Sequence, residues 1–417
     1  MKNISEKLFI FLLPALFTFP LFRENISSIL FIALAANTAF YNIVFKNYKD
    51  VNLKILYLTI PFWLTLIFCI FYYDPANFLK SLRHSLFFLA FPVVFPFIPN
   101  RYFTESKLNF YITILKNCCL IISIGFIVGF LNKYDFKDFF VYKYDIPKFR
   151  DFVYNEITFF KIHPTYFTSI LILCVAFSFE KVLKQKKYLE LTYVVAFLLM
   201  TFLLLSKINI LFLGALLFFM LAFRSNLSLR LKITGVSTLI VLIAALTFSV
   251  PGIKKRFYEM YKSYNSPPKE LAYDSTNIRV ALMKCNVDVA KENFLWGVGF
   301  EAIFDELRAC HIANYDAGFY KDHKYLTHNY FIYILITTGI FGFITYLFYC
   351  YIVFKNALRI NRFLLSVVLI NIFIVCLTED FFYRHFGVFY FSLILMTFIK
   401  SHDYKLDEAK KRPLEIT

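Results

Sequence analysis

Apolar runs of membrane-spanning length recur along this chain from end to end, and no other feature limits its fold so tightly. The first is LFIFLLPALFTFPLF, Leu8 to Phe22, and a second follows almost at once. In hydrocarbon such runs can satisfy their own backbone N–H and C=O groups only as helices. Hydrophobic residues make up 59% of the 417 positions, more than a soluble domain of this length can use. We therefore expect an all-α polytopic membrane protein of about twelve transmembrane helices. The spans fall near 8–22, 26–45, 55–73, 82–98, 108–131, 166–179, 191–205, 208–223, 233–250, 329–354, 363–378 and 387–399. The amino-terminal run resembles a signal peptide, but no small-residue cleavage site follows it, so it reads as a retained first helix.

The net charge of +17 does not imply nucleic acid. The basic residues stand in short segments between apolar runs and form no contiguous stripe. On the amino-terminal side these segments and the tail hold 22 Lys and Arg. The opposite short loops hold five: Arg23, Lys80, Arg83, Lys207 and Arg384. By the positive-inside rule both termini are cytoplasmic. Residues 1–250 then comprise nine spans with an outer loop at 132–165, and 251–328 form a large periplasmic loop. Residues 329–399 hold three more spans, and 400–417 a basic cytoplasmic tail. Cys69, Cys118, Cys119, Cys174, Cys350 and Cys376 lie in apolar runs and read as small fillers. Cys285 and Cys310 share the large polar loop, and the sequence leaves their pairing open.

His328 ends that loop where it meets the tenth span, in LTHNYFIYILITTGIFGF. At about 100° per residue on a straight helix, Gly339 returns to within roughly 20° of His328 and Gly342 to about 40°. Glycines on a spanning helix allow another helix to approach. This face, with His328 at its outer end, is expected to point into the bundle. A neutral imidazole there can accept a proton from a hydroxyl; the plainer alternative is an interfacial histidine bonded to a loop carbonyl. Arg279 lies in STNIRVALMKCNVDVA, where Ile278, Ala281, Leu282 and Val287 recur at roughly helical spacing. Asp274 or Ser275 could cap that helix. An arginine in its early turns suits a phosphate or pyrophosphate, and Arg256, earlier in the loop, suits the same ligand. Either could equally be a solvated arginine.

Lys207 sits in the tight hairpin LLLSKINILF, where a charge must snorkel or serve a polar cavity. His163, before Pro164, and Asn329, beside His328, are further candidates to line that cavity; for His163 a structural role is the plainer reading. Glu379, Asp380 and Arg384 form an outer turn that could pair internally and is read as mostly structural. No Asp-x-Asp or His-Glu-x-x-His motif occurs, and the first outer loop lacks paired carboxylates, so the expected chemistry needs no metal and no cofactor.

The topology, with a large outer loop before a late span, resembles that of the O-antigen ligase family, which also includes O-antigen polymerases and protein O-oligosaccharyltransferases. The most specific element is His328-Asn329, nine residues, then Gly339-x-x-Gly342, like the family's signature. ENFLWGVGF, 292–300, resembles the stretch that precedes the signature, and Arg279 matches the family's loop arginine. One position departs. The family usually has arginine where this chain has Lys207, and lysine keeps the charge but lacks the bidentate fork.

The resemblance implies a glycosyltransferase of the bacterial inner membrane with its active site at the periplasmic face. The implied donor is a glycan on undecaprenyl pyrophosphate, and the acceptor a sugar hydroxyl of lipid A–core. His328 would be the catalytic base, with Arg279, Lys207 and Arg256 on the donor pyrophosphate. A polymerase joining repeat units is the alternative of the same class. A lipid-linked sugar transporter is the alternative from another class; it predicts charges near mid-membrane and repeated halves, whereas the ionisable residues here are read as gathering at the outer ends of spans, with no repeat evident.

Overall fold

The computed structural model describes residues 1–46, 51–75, 77–143, 146–157, 162–249, 275–315, 320 and 324–411. Arg256 and Asp274 lie outside them. The described chain is helical, with only a two-residue antiparallel ladder, Tyr142–Lys143 against Ile146–Pro147, in the segment 132–165. Every expected span overlaps a helix. In chain order these are α1 (Lys2–Leu16), α2 (Glu24–Phe45), α3 (Ile60–Phe71), α4 (Phe78–Val94), α5 (Glu105–Leu131), α6 (Pro164–Gln185), α7 (Glu190–Leu203), α8 (Lys207–Phe219) and α9 (Leu229–Ser249). After α10 (Ser275–Glu292) and α11 (Gly299–Asn314) come α12 (Tyr330–Ile360), α13 (Phe363–Cys376) and α14 (His385–Lys411). Among the described residues seven segments are long and apolar enough to cross a membrane, and α7 and α13 are shorter apolar helices. The chain is a helical membrane protein.

It divides into two compact units. The first comprises Met1–Cys119, Ile344–Leu369 and Phe382–Thr417. There α1 packs on α2, and α4 packs on both α3 and α14. The contact is largely aromatic: the Phe91 ring lies 4.5 Å from Phe31 and 5.2 Å from Phe95 and Phe389. Lipid tails are as apolar as these rings, so close packing and buried polar bonds must hold the helices together. Ser5 supplies one such bond, donating to Asn37 Oδ1 at 2.8 Å.

The second unit comprises Leu120–Phe343 and Ile370–Phe381. At its centre is α6, every residue of which from Pro164 to Phe179 is buried. It packs on α7 and α8. Asn209 of α8 is fully buried and donates to Thr165 O (3.0 Å), Thr168 Oγ1 (2.6 Å) and Ser169 Oγ (3.2 Å) of α6, while accepting from Asn371 of α13 at 2.9 Å. A buried carboxamide with these bonds fixes how α6, α8 and α13 meet at that level.

Among its described residues the large loop contains α10 and α11. In α10, Ile278, Ala281, Leu282, Cys285 and Val289 are buried, whereas Val287 is 40% exposed. The sequence reading placed Val287 with the buried set, but it stands about 180° from Ile278 on the helix and so faces away. Cys285 and Cys310 form a disulfide that staples α10 to α11, their Cα atoms 5.8 Å apart. The other six cysteines are buried and take no part in a disulfide.

Candidate active site

The straight-helix arithmetic does not survive the structure. His328 stands two residues before the first residue of α12, in a left-handed backbone conformation with φ +50°. Gly339 is not helical either: φ is +63° and ψ −169°, so α12 is broken there. No single helix face carries both. The break accommodates the segment around Gly297. Ile340 N donates to Phe294 O and Val298 N to Ile336 O, both at 2.8 Å. A Cβ on Gly339 would lie 2.2 Å from Leu295 O, and one on Gly297 would lie 2.6 Å from Gly339 N. Only glycine fits at either position, because each combines positive φ with backbone at contact distance. The two stretches that the sequence singled out separately, ENFLWGVGF and the His–Gly signature, interlock here.

His328 is held by the turn after α13. Its N–H donates to Asp380 Oδ2 at 2.8 Å. Thr327 donates its hydroxyl to Asp380 Oδ1, and Asn286 of α10 donates to Thr327 O at 2.9 Å. A non-glycine residue in this backbone region costs about 1–3 kcal/mol, which the Asp380 bonds offset. Tyr166 of α6 fixes Asp380 in turn, donating to its carbonyl at 3.1 Å while stacking on Phe381 at 4.7 Å. Asn329 caps α12, its carboxamide oxygen accepting from Phe331 N and Ile332 N at 3.1 Å.

The imidazole meets Glu379. His328 Nδ1 lies 3.3 Å from Glu379 Oε2, and Arg279 Nη2 donates to Glu379 Oε1 at 3.1 Å. The carboxylate is largely buried (14% exposed), while the His328 and Arg279 side chains are 36% and 45% exposed. Burial alone would raise the Glu379 carboxyl. The hydrogen bond from His328 and the charges of His328, Arg279 and His163 outweigh it and hold the group below the usual carboxylate range. For Asp380 burial prevails and pushes the carboxyl up to about 6, against the bonds from Thr327 and His328. An ionised carboxylate only accepts hydrogen bonds. Nδ1 is therefore the protonated nitrogen, and in the neutral ring Nε2 keeps a lone pair to receive a proton. One carboxylate thus sets the tautomer of a base and anchors a guanidinium beside it.

The structure brings together Arg279 and His328, which lie 49 positions apart in the chain, with His163 within electrostatic reach of the same carboxylate. His163 precedes α6; its Nδ1 accepts from Thr165 N at 3.3 Å, and its ring meets Tyr154 and Tyr166 edge-on. Lys207 opens α8 and is half-buried; two residues on, Asn209 ties that helix to the same end of α6. Sequence reasoning missed Arg150, whose Nη1 donates to Leu204 O (2.8 Å) and Leu205 O (2.9 Å) of the Lys207 hairpin. It also left Glu379 and Asp380 out of the candidate site, where they bond to His328 and Arg279. A signal was present: two adjacent carboxylates directly after an apolar span, on the side where a histidine and arginines were already expected.

No curated protein matches the chain. Residues 192–347 match the family model described as O-antigen ligase. The matched region contains Lys207, Arg279, His328, Gly297 and Gly339, and stops short of the carboxylates at 379 and 380 that bond to His328. Over that region, a little more than a third of the chain, the protein is similar to the O-antigen ligase family.

Proposed function

We propose that this protein transfers a glycan from undecaprenyl pyrophosphate to a sugar hydroxyl of lipid A–core at the periplasmic face of the bacterial inner membrane. The observation that carries the reading is the shared carboxylate: Glu379 bonds both the imidazole of His328 and the guanidinium of Arg279. A hydroxyl acceptor needs a base, and a departing pyrophosphate needs a fixed cation beside that base.

In the proposed step the acceptor O–H gives its proton to His328 Nε2, and the freed oxygen attacks the anomeric carbon of the donor. The bond from that carbon to the phosphate oxygen breaks, the electron pair leaves with undecaprenyl pyrophosphate, and direct displacement inverts the anomeric centre. Arg279 takes the departing charge, with Lys207 and Arg256 as further pyrophosphate ligands and His163 at the edge of the cavity. The leaving group departs as a stable anion, so the step proceeds without a metal, and turnover should persist in EDTA. A polyprenyl donor keeps its tail in the bilayer while its pyrophosphate meets cations at the outer end of the helices.

Two further observations support the outer placement. A disulfide at Cys285–Cys310 suits an oxidising compartment. The asymmetry of 22 basic residues against five supports a cytoplasmic location for the opposite ends of the spans.

The test is deletion of the gene in its own host, with complementation by the wild type and by His328→Ala at matched expression. Core lipid without polymer, with lipid-linked polymer accumulating, establishes the ligase. Core bearing a single repeat unit would identify a polymerase instead. Rescue by His328→Ala would remove the base.

A further inference from the structure

We propose that the tip joining α10 to α11, Phe294–Trp296, is inserted among the lipid chains of the bilayer leaflet on the His328 side, so that the large loop is anchored in the membrane as well as standing outside it. The side chains of Phe294, Leu295 and Trp296 are 47%, 56% and 54% exposed, an apolar cluster at the end of an otherwise mixed-polarity helical pair. What places them in lipid is their partner. Phe294 O accepts from Ile340 N of α12, a helix long and apolar enough to cross a membrane, Val298 just beyond the tip donates to Ile336 O, and the backbone of Leu295 and Trp296 packs on Gly339.

Gly339 is nine residues beyond Tyr330, which opens that helix. At 1.5 Å per residue the contact lies up to about 14 Å down the helix, inside the half-thickness of a hydrocarbon core about 30 Å across. The Trp296 ring lies 5.3 Å from Phe341, itself 54% exposed, so the tip and the helix present one continuous apolar surface. Non-helical backbone at membrane depth requires internal hydrogen bonds. The bonds Val298 N to Ile336 O and Ile340 N to Phe294 O supply them, and the break at Gly339 frees the groups that make them. Lys291 and Glu292 stand just before the tip, where long charged side chains can reach the headgroups. The occupant of this surface is therefore hydrocarbon chain. Such an anchor would also set the height of α10, and with it of Arg279, relative to the bilayer.

The chain has two tryptophans, so Trp63→Phe leaves Trp296 as the sole reporter. The Trp63→Phe protein is reconstituted in phosphatidylcholine bilayers containing either 6,7-dibrominated acyl chains or unbrominated ones, and acrylamide quenching is measured in parallel. Insertion predicts at least twofold quenching by the brominated chains and little by acrylamide. Strong acrylamide quenching with no bromine effect would overturn the proposal. Leu295→Cys provides a second reading that does not depend on tryptophan: a nitroxide there should show collision with oxygen over a water-soluble nickel chelate, and the reverse ratio would overturn the insertion. Neither readout depends on glycan transfer, so the anchor and the proposed activity can fail separately.

Discussion

Replacing Glu379 by glutamine tests how the base is held. The substitution preserves shape and removes one charge, so the Nδ1 contact of His328 at 3.3 Å and the Arg279 bond at 3.1 Å both lose their ionic partner. A hydrogen bond to a charged group contributes roughly 1.5–3 kcal/mol. If the His328 bond alone is realised in the transition state, turnover should fall by about 10- to 150-fold. Glutamine can also present its amide N–H to Nδ1, which would turn the ring to the wrong tautomer and push the loss toward the upper end. The assay is transfer by purified protein in proteoliposomes, with donor and acceptor varied separately. The expected result is a fall in kcat with a much smaller change in the acceptor KM, and partial recovery in Glu379→Asp. Wild-type turnover in Glu379→Gln would refute the reasoning.

Gly339→Ala places a Cβ 2.2 Å from Leu295 O at a φ of +63°, and should destabilise the fold by about 3 kcal/mol or more, read as loss of monodisperse protein on size exclusion. His311 is buried and its imidazole is lowered to about 4 by burial, so the unfolded chain takes up a proton near pH 6.5 while the folded chain does not. Stability of the α10–α11 pair should therefore fall as pH drops from 6.5 toward 4, by up to about 3 kcal/mol, and hydrogen exchange of His311→Phe should lose that dependence. Removing the Cys285–Cys310 link with paired alanines closes off a constraint over a separation of 25 residues and should cost about 2–4 kcal/mol of stability in the same helices, seen as faster exchange across α10.

Much of this fold could be read directly, because a membrane leaves few options. Apolar runs set where helices lie, and the overlap of every expected span with a helix follows from backbone hydrogen bonding in hydrocarbon. The pairing of His328 with Arg279 was legible in part, since both were placed on one side by the distribution of lysines and arginines. What joins them was not. Glu379 and Asp380 sit in the eight residues between α13 and α14, and local reasoning pairs such residues with the nearest arginine, Arg384. Only the packing of α6 against that turn, through Tyr166, aims the carboxylates at His328. The glycines failed for a different reason. Helical periodicity assumes a continuous helix, and Gly339 is where continuity ends so that Leu295 and Trp296 can approach. A signature spaced at nine residues thus records an interlock between two segments and not a face. Arg150 was invisible because its partners are backbone carbonyls, which carry no trace in the residue pattern.

The account rests on a neutral imidazole at position 328 removing a proton from the acceptor while the donor is held by other groups. The most direct measurement is single-turnover transfer by purified His328→Ala in proteoliposomes, alongside donor binding by the same protein. Turnover reduced at least about 10²–10⁴-fold with donor binding unchanged is the predicted result. Transfer at the wild-type rate, with the alanine protein folded and binding donor, would contradict it.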